Sequence, residues 1–175
     1  MAIRSRGYKR EALNQFINFF WTILSFAPVI WFWIKEGIDL YFYFFLATSV
    51  IVAIIPEKVL SYFTLSSSRR LYERLGVKHI RKFVQNGAIV NAMSNQEKRV
   101  TINGITEAKK YLRTIAMYER FHWFCFIFFL LTTILCFYRG RWRLALIITL
   151  ANILYNVCAI LLQQYNKIRI KKMIR

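Results

Sequence analysis

The chain has 175 residues, 57% of them hydrophobic and 18% aromatic, yet it carries a formal net charge of +18. A soluble domain of this length needs far less apolar material, and a nucleic-acid binder would set its Lys and Arg among polar residues. Together the two extremes exclude both classes and indicate one membrane domain with a basic face.

After a basic start (Arg4, Arg6, Lys9, Arg10), residues 13–34 are almost free of charge and long enough to cross a bilayer. No small-residue cleavage site follows, so this segment is expected to be a retained anchor. The polar turn Lys35-Glu36-Gly37-Ile38-Asp39 leads into a second expected span over 40–55, stopped by Pro56, and the two spans should form an antiparallel hairpin. Residues 57–120 are polar, rich in Lys and Arg, and too long for a plain connector, so they should hold structure of their own. Ser66-Ser67-Ser68 suits the start of a short helix that Gly76 ends. From Val77, the apolar residues Val77, Ile80, Phe83 and Val84 recur at helical spacing opposite Lys78, Arg81 and Lys82, predicting a basic amphipathic helix that lies on anionic headgroups and ends at Asn86-Gly87. Asn103-Gly104 marks a further turn.

A long helix is then expected from near Thr106, running without Gly or Pro through Glu119 and His122 into the apolar stretch Trp123 to Phe137, with residues 121–137 as the third span. The turn Tyr138-Arg139-Gly140-Arg141 precedes a fourth span over 144–162 and a basic tail. The predicted fold is therefore an all-α integral membrane protein with four transmembrane helices and a basic amphipathic segment at the cytoplasmic interface. Both termini should be cytoplasmic, because the basic regions favour that side and the first turn is net acidic. Arg139, Arg141 and Arg143 run against this bias, which leaves a shallower re-entrant hairpin as the alternative to spans three and four.

Chemistry concentrates at Glu119-x-x-His122-Trp123. Residues three apart share a helix face, so Glu119 is expected to orient the His122 ring, and an imidazole at the hydrocarbon rim suits removal of a proton from an alcohol. The bland reading makes His122 a headgroup-level residue beside Trp123 and Tyr118. Asn152, Asn156, Gln163 and Asn166 project within one quadrant of the fourth helix, either as interhelical hydrogen-bonding groups or as a track for sugar hydroxyls. His79, among Lys78 and Arg81, is expected to be solvated. Cys125, Cys136 and Cys158 lie in apolar runs without zinc-site spacing and read as small apolar side chains; for Cys125, one turn beyond His122, the other reading is an acyl-carrying thiol. No Gly-rich phosphate loop or Gly-x-Ser-x-Gly elbow is present.

Three stretches resemble the glycosyl-diaponeurosporenoate acyltransferases, the final enzymes of staphyloxanthin-type carotenoid glycolipid synthesis: Leu75-Gly76-Val77-Lys78-His79-Ile80-Arg81-Lys82 with Asn86-Gly87, Glu119-Arg120-Phe121-His122-Trp123, and Asn156 with Gln163-Gln164-Tyr165-Asn166-Lys167-Ile168-Arg169. Departures are Ile80 at a Trp position, Gln164 where the family tends to have Arg, and Ile168 where it has Pro. The resemblance implies a bacterial inner-membrane acyltransferase that esterifies a sugar hydroxyl of a glycolipid. His122 would be the general base held by Glu119, with Asn156, Gln163 and Asn166 on sugar hydroxyls or the thioester oxygen. Trp123 would also bind substrate, with Tyr165 and Arg169 at the rim. It implies no bound cofactor and an acyl-CoA or acyl carrier protein as co-substrate, and the lack of a convincing nucleophile in the sequence favours direct attack by the hydroxyl over an acyl-enzyme. The competing class is a non-catalytic adaptor whose basic segment gathers acidic lipids or a partner protein.

Overall fold

Helices account for the architecture, and no strand occurs among the described residues, which in this computed structural model are 2–84 and 104–174. In chain order they are α1 (Ala2–Glu36), α2 (Leu40–Ile54), α3 (Glu57–Leu60), a 3₁₀ turn (Ser61–Phe63), α4 (Arg69–Arg74), α5 (Val77–Ile80), α6 (Ile105–Tyr138) and α7 (Trp142–Ile174). Three helices, α1 from Tyr8, α6 and α7, are long and apolar enough to cross a membrane. With 15 residues, α2 reaches about 22 Å at roughly 1.5 Å per residue, short of a hydrocarbon core of about 30 Å. It completes a fourth crossing only together with Glu57–Phe63, from which it is bent by 96°. Pro56 stands at that break, where its missing N–H and fixed φ start a new helix without a cap bond.

α6 runs through the middle of the bundle. α2 packs along it, while α1 packs mainly along α7. The expected antiparallel hairpin is thus corrected: α1 and α2 are joined by a tight turn but stand apart for most of their length, each held by a different partner helix. Phe32, Trp33, Phe129, Ile148 and Cys136 form the buried core between them. Trp33 sits edge-on to Phe42 and Phe45, at 5.1 and 5.9 Å between ring centroids, contacts worth about 0.5–1.5 kcal/mol each beyond area burial.

One end of the bundle carries the two short turns. Asp39 Oδ1 accepts from the Tyr41 and Phe42 amides and caps α2. Arg139 donates to Glu36 at 3.3 Å and to Asp39 at 2.6 Å, and Arg141 donates to Glu36 at 3.0 Å. Two of the three arginines that break the charge bias are therefore paired with the acids of the other turn. Gly140, at φ 71, makes the reversal between α6 and α7 in a conformation that costs other residues a Cβ clash.

At the opposite end, which holds both termini, α4 and α5 lie on the last turns of α7. Gly76, at φ 79, separates α4 from α5 as its sequence position predicts. The basic amphipathic helix is much shorter than expected: α5 stops at Ile80 and continues as turns through 84, while Asn86-Gly87 lies outside the described residues. Val77 is fully buried against Tyr72, Leu162 and Tyr165, with Ile80 and Val84 beside it. Val77, Ile80 and Val84 of the apolar stripe are thus covered by α7, whereas Phe83 is exposed together with Lys78, His79, Arg81 and Lys82.

Candidate active site

His122 lies in α6, half-buried, and faces a π-helical turn of α7 over Ile153–Val157. Such turns insert one extra residue into a helix and are frequent at functional sites. This one carries Tyr155 and Asn156 towards the imidazole: the His122 and Tyr155 rings are 5.3 Å apart, and His122 Nδ1 is 3.3 Å from Asn156 Oδ1. Tyr155 OH meets Thr22 Oγ1 of α1 at 3.1 Å.

The tautomer of His122 follows from the bond that anchors the chain. Phe126 O can only accept, so Asn152 Nδ2 donates to it at 3.1 Å. Asn152 then presents Oδ1 to Asn156 Nδ2 at 2.8 Å, which leaves Asn156 Oδ1 turned to the imidazole. His122 Nδ1 must therefore carry the proton and donate, and Nε2 keeps its lone pair. A base held this way is oriented by a neutral amide, the arrangement of a Cys-His-Asn triad without its nucleophile.

Glu119 does not hold the ring, which corrects the expectation from spacing. Its carboxylate is 1% exposed and accepts from Lys167 Nζ at 2.8 Å and from Gln164 Nε2 at 3.2 Å. A buried carboxylate needs such compensation, and the nearest cation and amide on α7 supply it better than an imidazole one turn away. Lys167 also reaches Glu57 at 3.4 Å. Gln164 is fully engaged: besides Glu119 it donates to Phe63 O, and its Oε1 accepts from Leu65 N and Tyr72 OH. These bonds fasten the segment 57–72 onto α6 and α7, and Phe63 packs edge-on against Trp123 at 5.9 Å.

The remaining expected residues divide. Asn156 joins His122, and Asn152 supports it. Gln163 and Asn166 are half-buried and bond to no other side chain among the described residues. Tyr165, expected at the rim, is buried against α4 and α5 and donates to Glu73 at 3.1 Å, with Arg69 over its ring at 5.7 Å and Arg169 at 5.8 Å. The π turn explains the exchange, because an added residue moves the inward positions beyond it from 163 and 166 to 164 and 167. Uniform helical spacing along α7 misses Gln164 and Lys167, which only the surplus of polar side chains at its tail end and the family resemblance mark, and Tyr72 of α4 has no signal in the sequence. Cys125 and Cys136 are buried and Cys158 half-buried, all unpaired.

The family model for glycosyl-4,4'-diaponeurosporenoate acyltransferase matches residues 56–175. The chain belongs to this family. The matched region starts at Pro56 and so contains every bond of the His122 and Glu119 networks except the hydroxyl contact from Thr22. Family membership supports acyltransferase chemistry in general, and the apolar helices support a membrane protein. No curated protein and no solved structure matches the chain.

Proposed function

We propose that this protein transfers a fatty acyl group from a thioester to a sugar hydroxyl of a membrane glycolipid, such as a glycosylated carotenoid, with His122 as the general base. The observation that carries this reading is the Phe126–Asn152–Asn156–His122 chain of hydrogen bonds, which leaves His122 Nε2 as a free acceptor. The tail end of the bundle faces the cytosol of a bacterial inner membrane, as its excess of Lys and Arg favours. α6 climbs about 24 Å from His122 to Tyr138 at roughly 1.5 Å per residue, which puts the imidazole just inside the inner edge of a hydrocarbon core of about 30 Å. The sugar of a glycolipid, held at the headgroup level beyond that edge, lies about one helical turn from the imidazole.

In the reaction, the sugar oxygen attacks the thioester carbonyl while His122 Nε2 takes the hydroxyl proton. The new C–O bond forms, the C–S bond breaks, and the proton passes from His122 to the departing thiolate of coenzyme A or an acyl carrier protein. Trp123 and Phe63 form an aromatic wall for the sugar. Glu119, Gln164 and Lys167 are positioning residues, which hold residues 57–72 against that wall.

The test is product formation from a labelled acyl donor in membranes containing wild type, His122→Ala or His122→Gln. General-base catalysis of this kind contributes roughly 10²–10⁴-fold, so both variants should lose at least about two orders of magnitude while still inserting. Unchanged turnover in a correctly inserted variant would remove His122 from the reaction.

A further inference from the structure

Tyr165 anchors a cluster of cations at the tail end of the bundle. Its ring is buried against Tyr72, Val77 and Leu162, so it is fixed where α4 and α5 meet the last turns of α7. Two guanidinium groups share that ring: Arg69 of α4, with its Cζ 5.7 Å from the centroid, and Arg169 of α7 at 5.8 Å. Like charges gathered on one ring call for an anion, and Glu73 is the acid supplied. Its carboxylate already accepts from Tyr165 OH at 3.1 Å and pairs with Lys78 at 3.0 Å and with Arg69 at 3.5 Å. Arg169 forms no ion pair among the described residues. Lys172, exposed one turn further along α7, adds another positive charge. The ring holds the stem of Arg169 in place while its fork keeps its N–H donors, the arrangement that grips a phosphoryl group by two parallel bonds. Depth narrows the source of such a group. Tyr165 lies about 14 Å past Asn156 in α7 at roughly 1.5 Å per residue. The headgroup layer adds only about 5–8 Å to the hydrocarbon edge beside which His122 stands, so the two guanidinium groups reach its aqueous limit.

We infer that Arg69 and Arg169 form the phosphate subsite of the acyl donor, binding the phosphoryl group at the far end of a phosphopantetheine arm. Such an arm is about 16 Å long when extended, at roughly 1.2 Å per bond along its chain, which matches the span from Tyr165 to a thioester beside His122. Coenzyme A and an acyl carrier protein share this arm, so the subsite serves either. The inference rests on the proposed function for the thioester, but the phosphate has its own readout.

The probes are phosphopantetheine and pantetheine, which differ only in the phosphate, and their binding to the full chain is measured in nanodiscs of neutral lipid. A hydrogen bond to a charged group is worth roughly tenfold or more in affinity. Wild type should therefore hold phosphopantetheine at least about tenfold tighter than pantetheine. Arg169→Gln and Arg69→Gln should each remove most of that preference while leaving pantetheine affinity unchanged, which shows an intact fold, and Arg169→Lys should restore part of it. Arg74→Gln removes an exposed charge of α4 outside the cluster and should keep the preference, which separates the subsite from the general positive charge. Equal binding of the two probes by wild type, or a preference that survives Arg169→Gln, would overturn the inference. The preference should also persist in nanodiscs of phosphatidylglycerol; its disappearance there would assign the pair to lipid phosphate and overturn the inference as well. With the acyl thioester of phosphopantetheine as donor, Arg169→Gln should raise KM about tenfold and leave kcat unchanged. Binding needs no turnover, so a phosphate preference in a protein inactive with every donor would retire the proposed reaction and keep the subsite, whereas His122-dependent activity with no such preference would do the reverse.

Discussion

Asn156 decides what His122 can do, because it is the only side chain among the described residues that fixes the ring by a hydrogen bond. Asn156→Ala should leave the imidazole free to turn and change tautomer, lowering kcat about 10²-fold with little change in KM, which single-turnover assays in membranes would separate. The sequence marks both residues as polar groups inside apolar spans, which lipid drives to find partners, but it does not pair Asn156 with His122. The partner of Glu119 was not legible. Spacing along one helix shows which side chains share a face, but a long Lys on a neighbouring helix competes for the same carboxylate, and only the packing of α6 on α7 reveals that Lys167 wins.

At the scale of elements, the π turn of α7 fixes the relation between the two networks. Asn152 before it and Asn156 within it serve His122, and beyond it Gln164 and Lys167 serve Glu119. Inserting one alanine after Leu154, which is 47% exposed, adds a second extra residue that the single wide turn does not absorb and should rotate everything past it by about 100°. Gln164 then leaves Glu119, residues 57–72 loosen, and limited proteolysis should cut that segment in a protein that still inserts. Hydropathy located the long helices because lipid demands apolar length, but a single wide turn alters only the hydrogen-bond register and leaves no mark in composition. The shortness of α5 is a tertiary effect of the same kind, since Val77 gains its burial from α7 and needs no longer helix. α4 and α5 are also tied electrostatically: Lys78, hydrogen-bonded at 3.0 Å, and Tyr165 hold the Glu73 carboxyl below its ordinary 4.5. Its folded value is depressed, so its contribution to stability is complete above pH 4.5 and lost as pH falls through the lowered value. The melting difference between wild type and Glu73→Gln in detergent should therefore shrink on acidification below pH 4.5 and stay constant above it.

At the scale of the whole molecule, charge pairing removes a conflict that loop-by-loop counting raises. Arg139 and Arg141 contradict the usual bias only while the acids of the first turn are counted separately; once the turns meet, Glu36 and Asp39 offset them. Pairing between residues 100 or more positions apart is invisible to any local charge count. Replacing both acids, Glu36→Gln with Asp39→Asn, should leave Arg139, Arg141 and Arg143 uncompensated and produce a population inserted with inverted or frustrated topology, which thiol-labelling of single cysteines in the two turns would detect. The same ion pairs have a mechanical meaning. They rivet the two reversals together at one pole, so the turn between α1 and α2 cannot shift without drawing the turn between α6 and α7 along with it.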